Sequence, residues 1–218
     1  MNYEKEKNKQ IKLNLEDVEK NLDKNEYQYK IKSWCEKYNF DFKTIFEKAK
    51  KDYYFRTIFS KDPNKQNFFK KIAAKYIKNI KFVKNFHKLN NHGSKSKFLF
   101  AGKVFSNTND KKNKFTKTID FTWQIENISG QKYNCYAYHE FIKEAGGAQN
   151  NQFTNVKNTI KNANFGNESN LFFFICDGEY FTNLKFKELK SIAKYNNIHI
   201  TQIIDLEKLL EKIVLNGI

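Results

Sequence analysis

Two acids in one stretch of this chain are spaced to do metal chemistry. Asp120 and Glu140 fall in TIDFTWQIENISGQKYNCYAYHEF, residues 118–141, which reads as two strands joined by a turn at Ile128–Gln131. If the loop centres on Gly130, residues whose numbers sum to 259 or 260 lie opposite one another, and Asp120 faces His139 or Glu140. Cross-strand neighbours lie roughly 5 Å apart at Cβ. Carboxylates that close repel unless a cation or a shared proton offsets them. A hard divalent cation gains from both charges and activates water for in-line attack. His139 is a further candidate as ligand or base. The bland alternative is that the acids are solvated strand residues paired to lysines, and that His139 is a core imidazole.

The turn EAGGAQNNQF follows the second strand. Gly146 and Gly147 permit close backbone approach, and a helix then starts with Gln149, Asn150, Asn151 and Gln152. A helix N-terminus carrying amide side chains suits phosphate oxygens and adenine edges. Asp177 and Glu179 in CDGEY read as turn acids, and Glu126 lies toward the hairpin tip.

The elements that must position these residues follow from periodicity. Residues 1–25 are polar, a frayed or partly helical arm. Tyr27, Ile31, Trp34, Cys35 and Tyr38 recur at helical spacing. Asn39 stops that helix and Asp41 starts another through Ile45, Phe46 and Ala49. A third helix carries Phe68, Phe69, Ile72, Ala73, Tyr76 and Ile77 on one stripe. Past a Gly/Ser/Lys loop near residue 95 the character changes. Strands are expected at Lys97–Phe105, Thr116–Glu126, Lys132–Phe141, Leu171–Cys176 and Ile198–Ile203. Helices are expected from Gln149 to about Ala163, at Phe186–Tyr195 and at Leu206–Val214. The fold class is therefore α/β (α+β), with an N-terminal helical region. Residues 26–218 read as a single domain, with a helical part at 26–95 and an α/β part at 96–218.

Among 218 residues the net charge is +16, which favours a polyanionic partner such as nucleic acid. Codon bias accounts for part of it: of the 40 Lys+Arg residues only Arg56 is an arginine. Bidentate reading of guanine, usually the work of arginine, must then fall to Lys, Asn, Gln and main-chain groups. Tyr53, Tyr54 and Phe55 beside Arg56 read as a packed helix face before a DNA contact. Lysine-rich segments at 61–71, 88–97 and 111–117 are candidate clamps for a duplex. No apolar run is long enough to span a membrane, and the N-terminus lacks a signal-peptide core, so a cytoplasmic protein is expected. Cys35, Cys135 and Cys176 are odd in number and widely spaced, which suits core thiols.

The order of elements resembles the PD-(D/E)XK nuclease core, and in particular its type II restriction endonucleases. Asp120 in TKTIDFTW matches the first acid. YAYHEFIKEAGGAQNNQFTNV followed by FFFICDGEYF resembles the remainder of such an enzyme, and KDPNKQNFFKKIAAKYI resembles a helix upstream of the core. The resemblance spans about residues 60–210. It implies a restriction-endonuclease-like core, a mixed central sheet flanked by helices, and Mg²⁺-dependent, site-specific cleavage of double-stranded DNA by a homodimer within a restriction-modification system. Asp120 and Glu140 would hold Mg²⁺, and Gln149, Asn150, Asn151, Gln152, Lys65 and Gln66 would contact DNA. Ile119 stands where the motif has proline, and Ile142 stands where it has lysine. A β-bulge at Phe141–Ile142 would bring Lys143 onto the catalytic face; otherwise Glu140 or His139 fills that slot. A repair or mobile-element nuclease on the same fold, and a non-catalytic nucleic-acid-binding protein, are the rival readings.

Overall fold

Asn39 ends one helix and Asp41 opens the next, each by its own chemistry. Asn39 takes the left-handed conformation at φ 56° after the helix that ends at Tyr38, and the Asp41 carboxylate accepts from the Thr44 N–H ahead of the helix that begins at Phe42. The computed structural model describes residues 3–63, 67–91, 93, 96–106, 118–163 and 170–217. The chain forms two compact units, divided between Phe69 and Lys70.

The first unit holds α1 (Tyr3–Asn21), α2 (Asn25–Tyr38), α3 (Phe42–Lys51) and a 3₁₀ turn at Phe55–Ile58. Val18, Tyr27, Ile31, Cys35, Ile45 and Phe59 form its core. Arg56 is buried there. It donates from Nε to Ala49 O at 2.9 Å and from Nη2 to Lys50 O at 2.6 Å, and pairs with Glu19 at 3.0 Å. It thus neutralises the C-terminal carbonyls of α3. Phe55 packs on this core, while Tyr54 is 80% exposed.

The second unit is built on a five-stranded mixed sheet in the order β1-β4-β5-β6-β7. Its strands are β1 (Lys84–Lys88), β4 (Phe121–Glu126), β5 (Lys132–Phe141), β6 (Asn170–Asp177) and β7 (Ile198–Thr201). A separate hairpin pairs β2 (Lys97–Phe100) with β3 (Lys103–Ser106). The helices are α4 (Phe68–Lys78), which spans the division, α5 (Gly147–Ala163), α6 (Asn183–Ile192) and α7 (Ile203–Asn216). β1, β4 and β5 are antiparallel neighbours, while β5, β6 and β7 run parallel through helical crossovers. LFFFIC is buried on both faces, as its continuous apolar run requires. Tyr138, Phe172, Phe174 and Cys176 meet Phe153, Val156, Ile160 and Leu189 of α5 and α6. Leu171, Phe173 and Ile175 alternate to the other face, where α7 buries Leu206 and Leu210. All three cysteines are buried and free.

Several elements differ from the periodicity. KFLFAGKVF is a hairpin rather than one strand, because Ala101 and Gly102 both take positive φ, 46° and 70°, as a two-residue turn demands. KNFHK forms an edge strand that no hydrophobic alternation announces. The β4–β5 register sums to 258, not 259 or 260, since Glu126 pairs with Lys132. The loop therefore centres on Ser129. The Asn127 carboxamide fixes it by accepting from the N–H groups of Ser129 and Gln131. Among the described residues no helix is long and apolar enough to cross a membrane.

Candidate active site

Asp120 enters the sheet at the start of β4, and its backbone and carboxylate are both held. Its N–H donates to Ala137 O at 2.8 Å, and its carbonyl accepts from the Leu89 N–H at 2.8 Å. Asp120 Oδ2 accepts from the His139 N–H at 2.9 Å. Asp120 Oδ1 lies 2.6 Å from Lys70 Nζ of α4. The Asp120 side chain is 2% exposed and that of Lys70 27%, so the ion pair is screened by water on the lysine side only.

Glu140 sits near the C-terminal end of β5, half-buried, at the same end of the sheet as Asp120. Its Oε2 accepts from the Tyr138 hydroxyl at 2.6 Å. Burial, then the Glu140 charge and hydrogen bond, then the Asp120 charge, push the Tyr138 phenol far above its ordinary value. Both carboxylates therefore act on one hydroxyl. With the register at 258, the ladder extended by one residue sets Asp120 beside Tyr138, and Glu140 is one same-side step further on.

Lys88 ends β1 opposite Phe121. Partial burial, then the charges of Lys71 and Lys70, depress its ammonium below the ordinary lysine value, and Asp120 acts the other way. Lys70 of α4 and Lys88 of β1 thus both feel the Asp120 carboxylate, and Lys71 adds positive charge beside Lys88.

The remaining expected residues divide. His139 is fully buried and contacts Phe121, at 6.1 Å between ring centroids, on the side of the sheet opposite Tyr138 and Glu140. Its Nε2 lies 3.1 Å from Asp177 Oδ2, and Asp177 Oδ1 accepts from the Ile203 N–H at 2.9 Å. This chain of contacts pins the start of α7 to the end of β6. Lys143 is exposed beyond the end of β5. No bulge brings it back: the β5–β6 register is unbroken through Phe141–Asp177, and the Ile142 N–H continues to Asp177 O at 2.9 Å. Ile142 is buried in the core beside Tyr138, so the side chain after it is directed away. Glu126 pairs with Lys84 at 3.0 Å.

Gln149 and Asn150 lie in the first turn of α5, whose N-terminus follows β5 by five residues, and Asn151 and Gln152 come next. Asn150 Oδ1 accepts from the Tyr180 hydroxyl at 2.7 Å, and Lys185 Nζ stands 3.9 Å above the Tyr180 ring. Asn151 is exposed. Lys65, Gln66 and the segment 111–117 lie outside the described residues.

Periodicity did not point to Lys70 or Lys88. Lys70 meets an acid 50 residues away; the sequence placed Lys70 and Lys88 only within the lysine-rich segments 61–71 and 88–97, as candidate clamps for a duplex, and Lys70 also in the helix upstream of the core. Among the described residues no group of three or more His, Cys, Asp or Glu gathers to hold a metal ion. Mg²⁺ does not need one, since one or two carboxylates with waters and substrate phosphates commonly suffice. The Asp120 and Glu140 carboxylates are hard oxygen donors of the kind Mg²⁺ takes, and the Lys70 ammonium at Asp120 Oδ1 shows that this oxygen holds a positive charge. Comparison of the chain with protein-family models, with curated proteins and with solved structures found no match.

Proposed function

We propose that this protein is a Mg²⁺-dependent endonuclease of the restriction-endonuclease-like class, acting on double-stranded DNA as a homodimer. One observation carries the reading. Asp120 and Glu140 come to the same end of a mixed sheet, with a lysine ammonium bonded to the first acid. In chain order the sheet strands β1, β4 and β5 precede α5 and β6, but KFLFAGKVF, the strand expected first, forms the separate β2–β3 hairpin and β1 takes its place in the sheet.

Asp120 and Glu140 would hold the cation, which when bound supplies Lewis-acid activation of water and of the phosphoryl oxygen. Lys70 provides a fixed positive charge where negative charge develops on the phosphate, the task the motif's strand lysine performs elsewhere. Lys71 and Lys88 extend that positive field over a flanking phosphate. The α5 N-terminus brings Gln149, Asn150 and Asn151 toward the DNA, where main-chain N–H groups favour phosphate oxygens. Tyr138 holds Glu140 in one orientation. Two copies on a two-fold axis would treat the two strands alike.

A second reading has its own support. Both Asp120 oxygens already have partners within the protein, as they would if the acids were structural in a non-catalytic DNA-binding protein. Incubating the purified protein with unmethylated phage DNA, with and without Mg²⁺, separates the two. Metal-dependent cleavage supports the nuclease, and a gel shift without cleavage supports the binding protein. Discrete bands rather than a smear distinguish a restriction enzyme from a repair or mobile-element nuclease.

A further inference from the structure

Helix α7 buries Ile203, Leu206, Leu210, Ile213 and Val214 against the sheet. Its outer face carries a second pattern. Ile204, Lys208, Glu211 and Leu215 follow at steps of four, three and four residues, which places them on one stripe. Ile204 is 56% exposed and Leu215 51%. Lys208 is exposed between them, and Glu211 pairs with Lys81 at 3.1 Å in a pair open to solvent. Such a pair holds its partner weakly.

The surroundings share this character. Of the six exposed large hydrophobic residues among those described in the second unit, Leu184, Tyr195, Ile204 and Leu215 lie on α6, α7 and the loop after α6. Between α6, β7 and α7 runs an open groove of about 790 Å³ lined by Phe181, Phe186, Ile200 and Leu209. Of the four exposed residues, Leu215 also borders this groove. β7 is the edge strand beside it.

We infer that this face docks a second copy of the chain, with the two α7 helices antiparallel across a two-fold axis between Leu209 and Leu210. The stripe reads apolar, cation, anion, apolar, and that order is its own complement when reversed. Each Ile204 then meets a Leu215, and each Lys208 meets a Glu211, twice over in an isologous contact. The same register sets Glu207 toward Lys212. A polyanion is a poor occupant, because Asp205, Glu207 and Glu211 stand among the lysines here. The inference deepens the two-fold reading proposed above and takes nothing from the catalytic residues.

Sedimentation velocity over a concentration series tests it. The wild-type chain should reach twice the monomer mass as its concentration rises past about 10 μM, in keeping with a small interface. Lys208→Glu should raise the dissociation constant at least about tenfold by setting like charges together at two places. Lys208→Glu combined with Glu211→Lys should restore the dimer. A wild-type chain that stays monomeric, a Lys208→Glu chain that dimerises as well as wild type, or a double swap that fails to recover would each overturn the inference. Circular dichroism checks that the variants fold. A dimer that cleaves no DNA leaves this inference standing while removing the nuclease reading, and a cleaving monomer does the reverse.

Discussion

Lys70 Nζ lies 2.6 Å from Asp120 Oδ1 although 50 residues separate them. A helix upstream of the sheet thus brings an ammonium to the acid at the start of β4. The pair also explains how a carboxylate only 2% exposed is tolerated, since an unpaired charge at that depth is costly.

Removing the Lys70 charge therefore has two effects. Lys70→Met should lower thermal stability by about 2 kcal/mol, less than for a fully buried pair because the lysine side is wet. It should also reduce DNA cleavage by roughly a hundredfold or more, the scale of losing one preorganised charge-stabilising donor. Lys70→Arg should keep most of the stability. Differential scanning calorimetry and single-turnover cleavage separate the two contributions. An active Lys70→Met chain would return the lysine to a purely structural role.

Gly178 follows Asp177 at φ +100°, and a Cβ there would lie 2.1 Å from Ile142 O. The obstacle is backbone at the end of β5, so it cannot swing aside. Gly178→Ala should cost about 3 kcal/mol, from the left-handed conformation and the forced shift together. Because Ile142 follows Glu140 by two residues, the variant should lose cleavage even at temperatures where it stays folded. Chemical denaturation with a parallel cleavage assay checks both.

Much of this architecture was legible in the sequence. Lys132–Phe141 is a strand with those bounds, LFFFIC lies within a strand buried on both faces, and Asn39 and Asp41 act as a stop and a start. These signals are local, from period, cap and apolar run. What escaped depends on partners distant in sequence or on residues used against type. β1 is a polar edge strand whose Phe86 is only half-buried, so no alternation marks it. Ala101 turns a hairpin at φ 46°, where glycine or asparagine would have signalled the turn. The register moved because Asn127 widens the β4–β5 loop. That shift decides which residue lies beside Asp120. Lys70 and Lys88 reach the site only through packing, and packing leaves no periodic trace.

His199 gives the fold a pH dependence. Burial pushes its imidazole down from near 6.5 to about 4, and it stacks on Phe173 at 5.0 Å. In the unfolded chain the ring takes its proton near 6.5, whereas in the fold it stays neutral until about 4. The unfolded state therefore binds more protons within that window, and stability is lost as pH falls through it. Above the window this loss is absent. The effect should be on the order of 2 to 3 kcal/mol. His199→Phe keeps the stacking and should flatten the decline between these pH values. Urea midpoints at half-unit pH intervals, compared between the two chains, measure it, and parallel curves would show that His199 does not contribute.

Lys88 should contact a phosphate rather than a base. Lys88→Gln is expected to weaken DNA binding about equally on all sequences. It should also reduce the slope of log affinity against log salt by about 1. Fluorescence anisotropy on two unrelated duplexes over a salt series reads both quantities. A change confined to one sequence would assign Lys88 to base recognition instead.

The central claim is that Asp120 and Glu140 together make a metal-dependent cleavage site. The most direct measurement is cleavage of phage DNA by wild type, Asp120→Asn and Glu140→Gln across a Mg²⁺ titration, with gel-shift binding measured in parallel. The account predicts cleavage that requires Mg²⁺ and falls more than about a hundredfold in either variant, since even outer partners of metal ligands are worth roughly ten- to a hundredfold. Binding should persist in both. Cleavage that survives both substitutions, or DNA left intact by the wild type at every Mg²⁺ concentration, would contradict it.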